Sequence, residues 1–183
     1  LRRSRGLGDV YKRQVFILLV ITVGVFVLQN LLHILLPDTR IVENLFILNP
    51  SNLLEGKIWT LLTYSFLHSY PGLFHIFANM LGLYFIGRVI EPIIGAKPFL
   101  HLYLSSAIVG ALCYLSLHMD ASQGLYGLVG ASASVSGILA FFCLIKPEER
   151  ITLLLFFILP VSLKPKWLLR GYLAITILSL IHI

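Results

Sequence analysis

Charge is what this sequence has least of. Asp and Glu number 8 and Lys and Arg 14 in 183 residues, so only 12% of the chain is charged. A soluble domain carries about a quarter of its residues charged. With 58% hydrophobic residues and a mean hydropathy of +0.91, the shortage excludes an ordinary water-facing surface and implies a polytopic membrane protein. Cysteine is nearly absent as well. Cys113 and Cys143 both lie in apolar runs, which excludes a disulfide framework or a thiolate metal site and leaves them as small core residues. Mid-span carboxylates and an internal repeat are also missing, which argues against a transporter or channel subunit.

The charge that is present is basic, with a net +6 and a pI near 9.5. These residues cluster at the ends of apolar runs and form no patch interleaved with aromatics. That pattern belongs to membrane topology, and a nucleic-acid partner is excluded.

Apolar runs of bilayer-spanning length divide the chain. Spans are expected at about 15–36, 73–95, 98–118, 124–145 and 167–183, with a long connection at 37–72. That connection is not hydrophilic: Ile41, Val42, Leu45, Phe46, Trp59, Leu61 and Leu62 recur along it, as in amphipathic pieces lying in the membrane interface. Ile151 to Leu163 is apolar but short. Residues 1–14 read unlike the rest, being rich in Arg and Gly without an initial Met, and are expected to be a non-native or basic leader. Residues 180–183 are set aside for the same reason, leaving 15–183 as one membrane domain.

Arg88 and Lys97 sit at the end of the second span, and Lys146, Arg150, Lys164, Lys166 and Arg170 follow the fourth. The connection between the third and fourth contains no Lys or Arg. The positive-inside rule then runs the second and fourth spans from outside to inside. It places His75 and Ser132 at matching depth near their outer ends.

Gly124, Gly127 and Gly130 precede Ser132 at intervals of three, a poor helix start. The segment 124–131 therefore reads as irregular backbone, tolerated at membrane depth only against protein or a wet cavity. A helix beginning near Ser132 would aim free N–H groups and its positive dipole end at that cavity, suiting a developing oxyanion. The following Ala133, Ser134, Ser136, Gly137 and Ala140 suit close helix packing. His75 and Asn79 stand four apart on one helix face, where polar groups must look into the bundle or a cavity. Both can donate to a tetrahedral intermediate. Gly87, Glu91 and Gly95 form a second ladder that reads as structural, with Glu91 bonding to backbone or a basic neighbour. His68 and Trp59 read as interfacial rings, and His33, His101 and His118 carry no assignment.

Taken in order, Trp59 with Thr63 and His68, then His75-Ile76-Phe77-Ala78-Asn79, then Gly87-Arg88-Val89-Ile90-Glu91 through Gly95, and Gly130-Ala131-Ser132 resemble the rhomboid family of intramembrane serine proteases. The resemblance runs from about Trp59 to Phe142. It implies an all-α, six-helix membrane bundle, here incomplete with about five of the six core helices, and a serine–histidine dyad. It implies Ser132 as nucleophile, with His75 and Asn79 joining the Ser132 backbone N–H in the oxyanion hole. Two residues depart from the pattern. Ala133 stands where the family has glycine after the nucleophile. The general-base histidine, expected on a sixth helix among small residues, is not present in this chain, since His182 lacks that context.

The expected function is that of a serine endopeptidase cleaving transmembrane-segment substrates by acyl-enzyme chemistry. The chain as given is expected to be an inactive fragment, because serine is a weak nucleophile without a base. The alternative is a catalytically dead rhomboid-like binder of transmembrane helices. No cofactor or metal is called for. The expected partners are membrane lipids and transmembrane protein substrates, in any oligomeric state. The compact form suggests a bacterial inner (plasma) membrane, with the active site opening to the outer side.

Overall fold

Three apolar helices are each long enough to cross a hydrocarbon core of about 30 Å. In the computed structural model they are α1 (Arg13–Leu35), α5 (Leu73–Ile94) and α6 (Ala96–His118). The described residues are 13–36, 41–69, 72–119, 127–149, 151–155, 159–171 and 174. Between α1 and α5 the chain forms short helices α2 (Ile41–Phe46), α3 (Pro50–Leu54) and α4 (Thr60–Thr63), then a 3₁₀ turn at Tyr64–Phe66. A shorter apolar helix, α7 (Ser132–Ile145), follows the irregular stretch. The protein is an all-α helical membrane bundle, integral and multi-pass.

The chain separates into two compact units, 1–137 and 138–183. In the first, α1, α5 and α6 meet where side chains are smallest. A Cβ on Gly87 of α5 would lie 2.8 Å from Val15 of α1 and 3.1 Å from Phe99 of α6. A single residue, Gly95, joins α5 to α6 at φ +88°, a left-handed conformation that a side chain would strain. One turn earlier, the fully buried Glu91 carboxylate accepts from the backbone N–H groups of Gln14 (2.9 Å) and Val15 (3.1 Å). Glu91 thus caps the positive start of α1, and the backbone role expected for it is the one observed.

The connection packs inward. Leu48 and Tyr64 are fully buried with Ala107, Ala111 and Leu115 of α6. Tyr64 donates its hydroxyl to the Ala107 carbonyl at 2.7 Å. Burial pushes the Tyr64 phenol up to about 12, so it remains a neutral donor. Thr63 and Trp59 donate to the carbonyls of Phe46 (2.8 Å) and Leu45 (2.7 Å), tying α4 to α2.

The second unit contains the short apolar run Ile151 to Leu163. It forms an antiparallel hairpin, β1 (Ile151–Leu155) with β2 (Leu159–Leu163), in which Ile151 faces Leu163. Its β-branched Ile, Thr and Val, with Pro160 unable to continue a helix, favour strand here. Lys164 (2.8 Å) and Lys166 both pair with Glu148 across the hairpin's base. Those ammonium groups pull the exposed Glu148 carboxyl down to about 2. Residues 165–171 are helical. The rest of the expected span at 167–183, His182 included, lies largely outside the described residues.

Replacing Glu91 with Ala orphans two N–H groups in a dry environment and is expected to destabilise the protein by about 1–3 kcal/mol. Glu91→Gln, which keeps an acceptor oxygen, should recover part of that loss. Unfolding monitored in detergent checks both.

Candidate active site

The site is assembled from two stretches of irregular backbone. From 127 to 131 the chain is non-helical, as the glycines foretold. It is pinned by Leu128 N–H donating to the Leu48 carbonyl (2.7 Å) and Gly130 N–H donating to the Tyr64 carbonyl (2.9 Å). Gly130 has φ +111°. A Cβ there would lie 2.7 Å from His75 Cε1, 2.9 Å from His75 Nε2 and 3.7 Å from Asn79 Nδ2. The imidazole and the carboxamide expected to face the serine loop therefore both lie against Gly130, two residues before Ser132. Ser132 opens α7, whose first N–H groups have no partner within the helix. Its side chain is exposed, and among the described residues nothing hydrogen-bonds its hydroxyl.

The imidazole of His75 has one partnered nitrogen. Its Nδ1 lies 3.3 Å from Ser69 Oγ. If the serine hydroxyl donates there, the ring proton resides on Nε2, the atom on the Gly130 side. Asn79 Nδ2 donates to the His75 carbonyl (3.0 Å), the carbonyl one turn back on α5. The same nitrogen stands 3.3 Å from His68 Nε2. An amide nitrogen can only donate, so His68 Nε2 is the acceptor and its proton sits on Nδ1. His68 is thus a member of the polar cluster, and its reading as an interfacial ring is corrected. It is completely buried, edge-on to Phe26 (6.4 Å between centroids) and to His75 (5.1 Å). Burial first, and the neighbouring His75 second, lower the His68 pKa from 6.5 to about 4. The ring is therefore neutral at physiological pH, as an acceptor must be.

Tight packing holds α7 beside its neighbours. A Cβ on Gly82 of α5 would come within 2.9 Å of Val135, and one on Gly110 of α6 would strike Ala133. Ala133, which departs from the resemblance, thus sits against a glycine that leaves room for its methyl. Among the described residues no cluster of His, Cys, Asp or Glu could hold a metal ion.

The fold and site define a polytopic membrane protein in which an imidazole and a carboxamide lie against a glycine two residues before a serine at a helix start. A family model, the Rhomboid domain, matches residues 55–181, and the chain belongs to the rhomboid family. RHOMBOID-like protein 12, mitochondrial, of Arabidopsis thaliana is 36% identical over 172 residues, covering 86% of this chain and 47% of the relative. Rhomboid-like protease 1 of Toxoplasma gondii is 33% identical over 102 residues, 52% of this chain and 34% of the relative. Inactive RHOMBOID-like protein 8 of Arabidopsis thaliana is 32% identical over 104 residues, 54% of this chain and 29% of the relative. The chain therefore spans less than half the length of each of these relatives. The organellar names among such relatives do not support the bacterial inner membrane expected from the compact form.

Two outcomes follow from this geometry. Gly130→Ala forces a methyl group into the His75 ring at a left-handed position, so the ring must move. Its histidine NMR signals should shift, with a stability loss of about 1–3 kcal/mol. The depressed pKa of His68 means the unfolded chain takes up its proton first as pH falls. Stability is then fully retained above about 6.5 and drops toward pH 4. Unfolding measured against pH should show this decline in the native protein and a flatter one in His68→Gln.

Proposed function

We propose that Ser132 is the nucleophile of an intramembrane serine endopeptidase, with His75 and Asn79 as oxyanion donors. The single observation that carries the reading is the convergence of His75 Nε2 and Asn79 Nδ2 on Gly130, two residues ahead of a serine at the start of a helix. Membership of the rhomboid family agrees with it.

In this reading Ser132 Oγ attacks the carbonyl carbon of a peptide bond in a substrate's transmembrane region. A general base takes the hydroxyl proton as the Oγ–C bond forms. The carbonyl oxygen becomes an oxyanion and receives hydrogen bonds from the His75 Nε2–H, the Asn79 amide and the N–H of Ser132 at the head of α7. Charge strengthens those bonds, so the oxyanion draws an Asn79 N–H away from the neutral His68 ring. Collapse expels the amine with the proton returned by the base, leaving an acyl-enzyme that water hydrolyses. Among the described residues no base stands on the Ser132 hydroxyl.

A second reading, a binder of transmembrane helices that keeps the fold without proteolysis, is supported by the inactive rhomboid-like protein among the relatives. A fluorophosphonate probe on the full-length protein separates the two. Labelling that disappears in Ser132→Ala, in a protein that still folds, supports the endopeptidase. Labelling that persists in the variant rejects Ser132 as the nucleophile, and absence of labelling in the native protein favours the binder. Asn79→Ala should lower kcat by about 100-fold or more while leaving substrate binding nearly unchanged, because an oxyanion donor acts in the transition state. Steady-state cleavage of a transmembrane peptide in lipid vesicles reads that division.

A further inference from the structure

Gln29 is a buried polar residue in the second half of α1, 4% exposed, in a helix that is otherwise a membrane span. A lone carboxamide there is costly unless both its ends are bonded. Both are, and to one residue. Gln29 Nε2 donates to the His68 carbonyl at 2.7 Å. Gln29 Oε1 accepts the His68 N–H at 3.2 Å. This two-point grip fixes the backbone of a residue that no helix or sheet holds, just after the 3₁₀ turn at Tyr64–Phe66. Phe26, one turn earlier on α1, meets the His68 ring edge-on. One face of α1 therefore fixes both the main chain and the ring of His68. That ring in turn receives an N–H of Asn79 through Nε2.

From this chain of contacts we infer that Gln29 is a positioning residue. By clamping the His68 backbone it holds the imidazole against Asn79, and so keeps the carboxamide turned toward Gly130 and the Ser132 loop. The inference rests on the reading of Asn79 as an oxyanion donor. It adds a third element, α1, to a site otherwise built from α5 and the α6–α7 segment. A carboxamide free to rotate about its terminal bond would spend part of its time with the oxygen toward the developing anion, which repels it. The His68 acceptor removes that alternative, since an imidazole nitrogen lone pair repels a carbonyl oxygen.

The test uses the full-length protein in lipid vesicles. Gln29→Leu removes both bonds and keeps an apolar side chain of similar size. It should lower kcat about tenfold with KM within about twofold, as loss of a supporting partner does at other sites. With ¹⁵N-labelled histidine, the His68 ring should lose its single Nδ1–H tautomer signature. Gln29→Glu gives the conservative rescue. Its protonated carboxyl can donate to the His68 carbonyl and accept the His68 N–H, whereas its ionised form cannot donate. Its kcat should approach the native value at acid pH and fall as pH rises, adding a transition that the native protein lacks. The other titratable groups on the segments around position 29 are His68, His75, Tyr64 on the 3₁₀ turn, Glu43 on α2 and, one turn along α1, His33, all shared with the native protein and cancelled by the comparison.

A Gln29→Leu protein with native kcat and native His68 ring signals overturns the inference. So does a Gln29→Glu protein whose pH profile matches the native one. Should the leucine variant not fold, the glutamate profile and the ring signals decide alone. Failure of the underlying reading looks different. Asn79→Ala would then leave kcat unchanged, while the histidine spectra would still register the clamp.

Discussion

Inside hydrocarbon a backbone N–H or C=O left unbonded to protein has no water to turn to, and each such group costs several kcal/mol. Helices satisfy the rule automatically; a catalytic pocket cannot, because it needs N–H groups left free. Among the described residues of this protein, backbone groups of the irregular stretches are bonded to named partners. Tyr64 supplies its carbonyl to Gly130 and its hydroxyl to Ala107. Leu48 supplies its carbonyl to Leu128, and Gln29 closes both backbone positions of His68. Among the described residues, the N–H groups of Ser132, Ala133 and Ser134 at the head of α7 have no partner within the helix.

The connection between α1 and α5 is consequently part of the site's scaffold. Its greasy composition serves burial against α6, as the fully enclosed Leu48 and Tyr64 show. The same burial that makes Tyr64 a permanent donor makes His68 a permanent acceptor. One removes the phenol's tendency to ionise and the other removes the imidazole's tendency to protonate, both because charge is poorly solvated there.

Much of this was legible in the sequence. The long spans declare themselves by apolar length, the irregular approach to Ser132 by its glycines, and the shared face of His75 and Asn79 by their spacing of one helical turn. Glu91 was legible as structural, though its partners on α1 were not, since they lie 76 and 77 positions away. His68 was missed because periodicity describes only helices and strands, and this residue belongs to neither. Its signal was Gln29, an amide in the second half of a greasy span that needed a partner. The hairpin at Ile151–Leu163 was not legible beforehand because a short apolar run fits either a strand or a buried helical piece, and only Pro160 tilts the balance.

The contacts at Gly82, Gly110 and Gly137, where an added methyl would meet Val135, Ala133 and Ser106, carry a consequence for how such a protein can vary. Alpha-carbon surface lies directly against neighbouring side chains on two flanks of α7, with no long rotamers between them to absorb a change. Enlarging any of these glycines translates the entire rod, and the hydroxyl at its tip travels with it. The position of the Ser132 hydroxyl is thus set by how closely three cylinders nest.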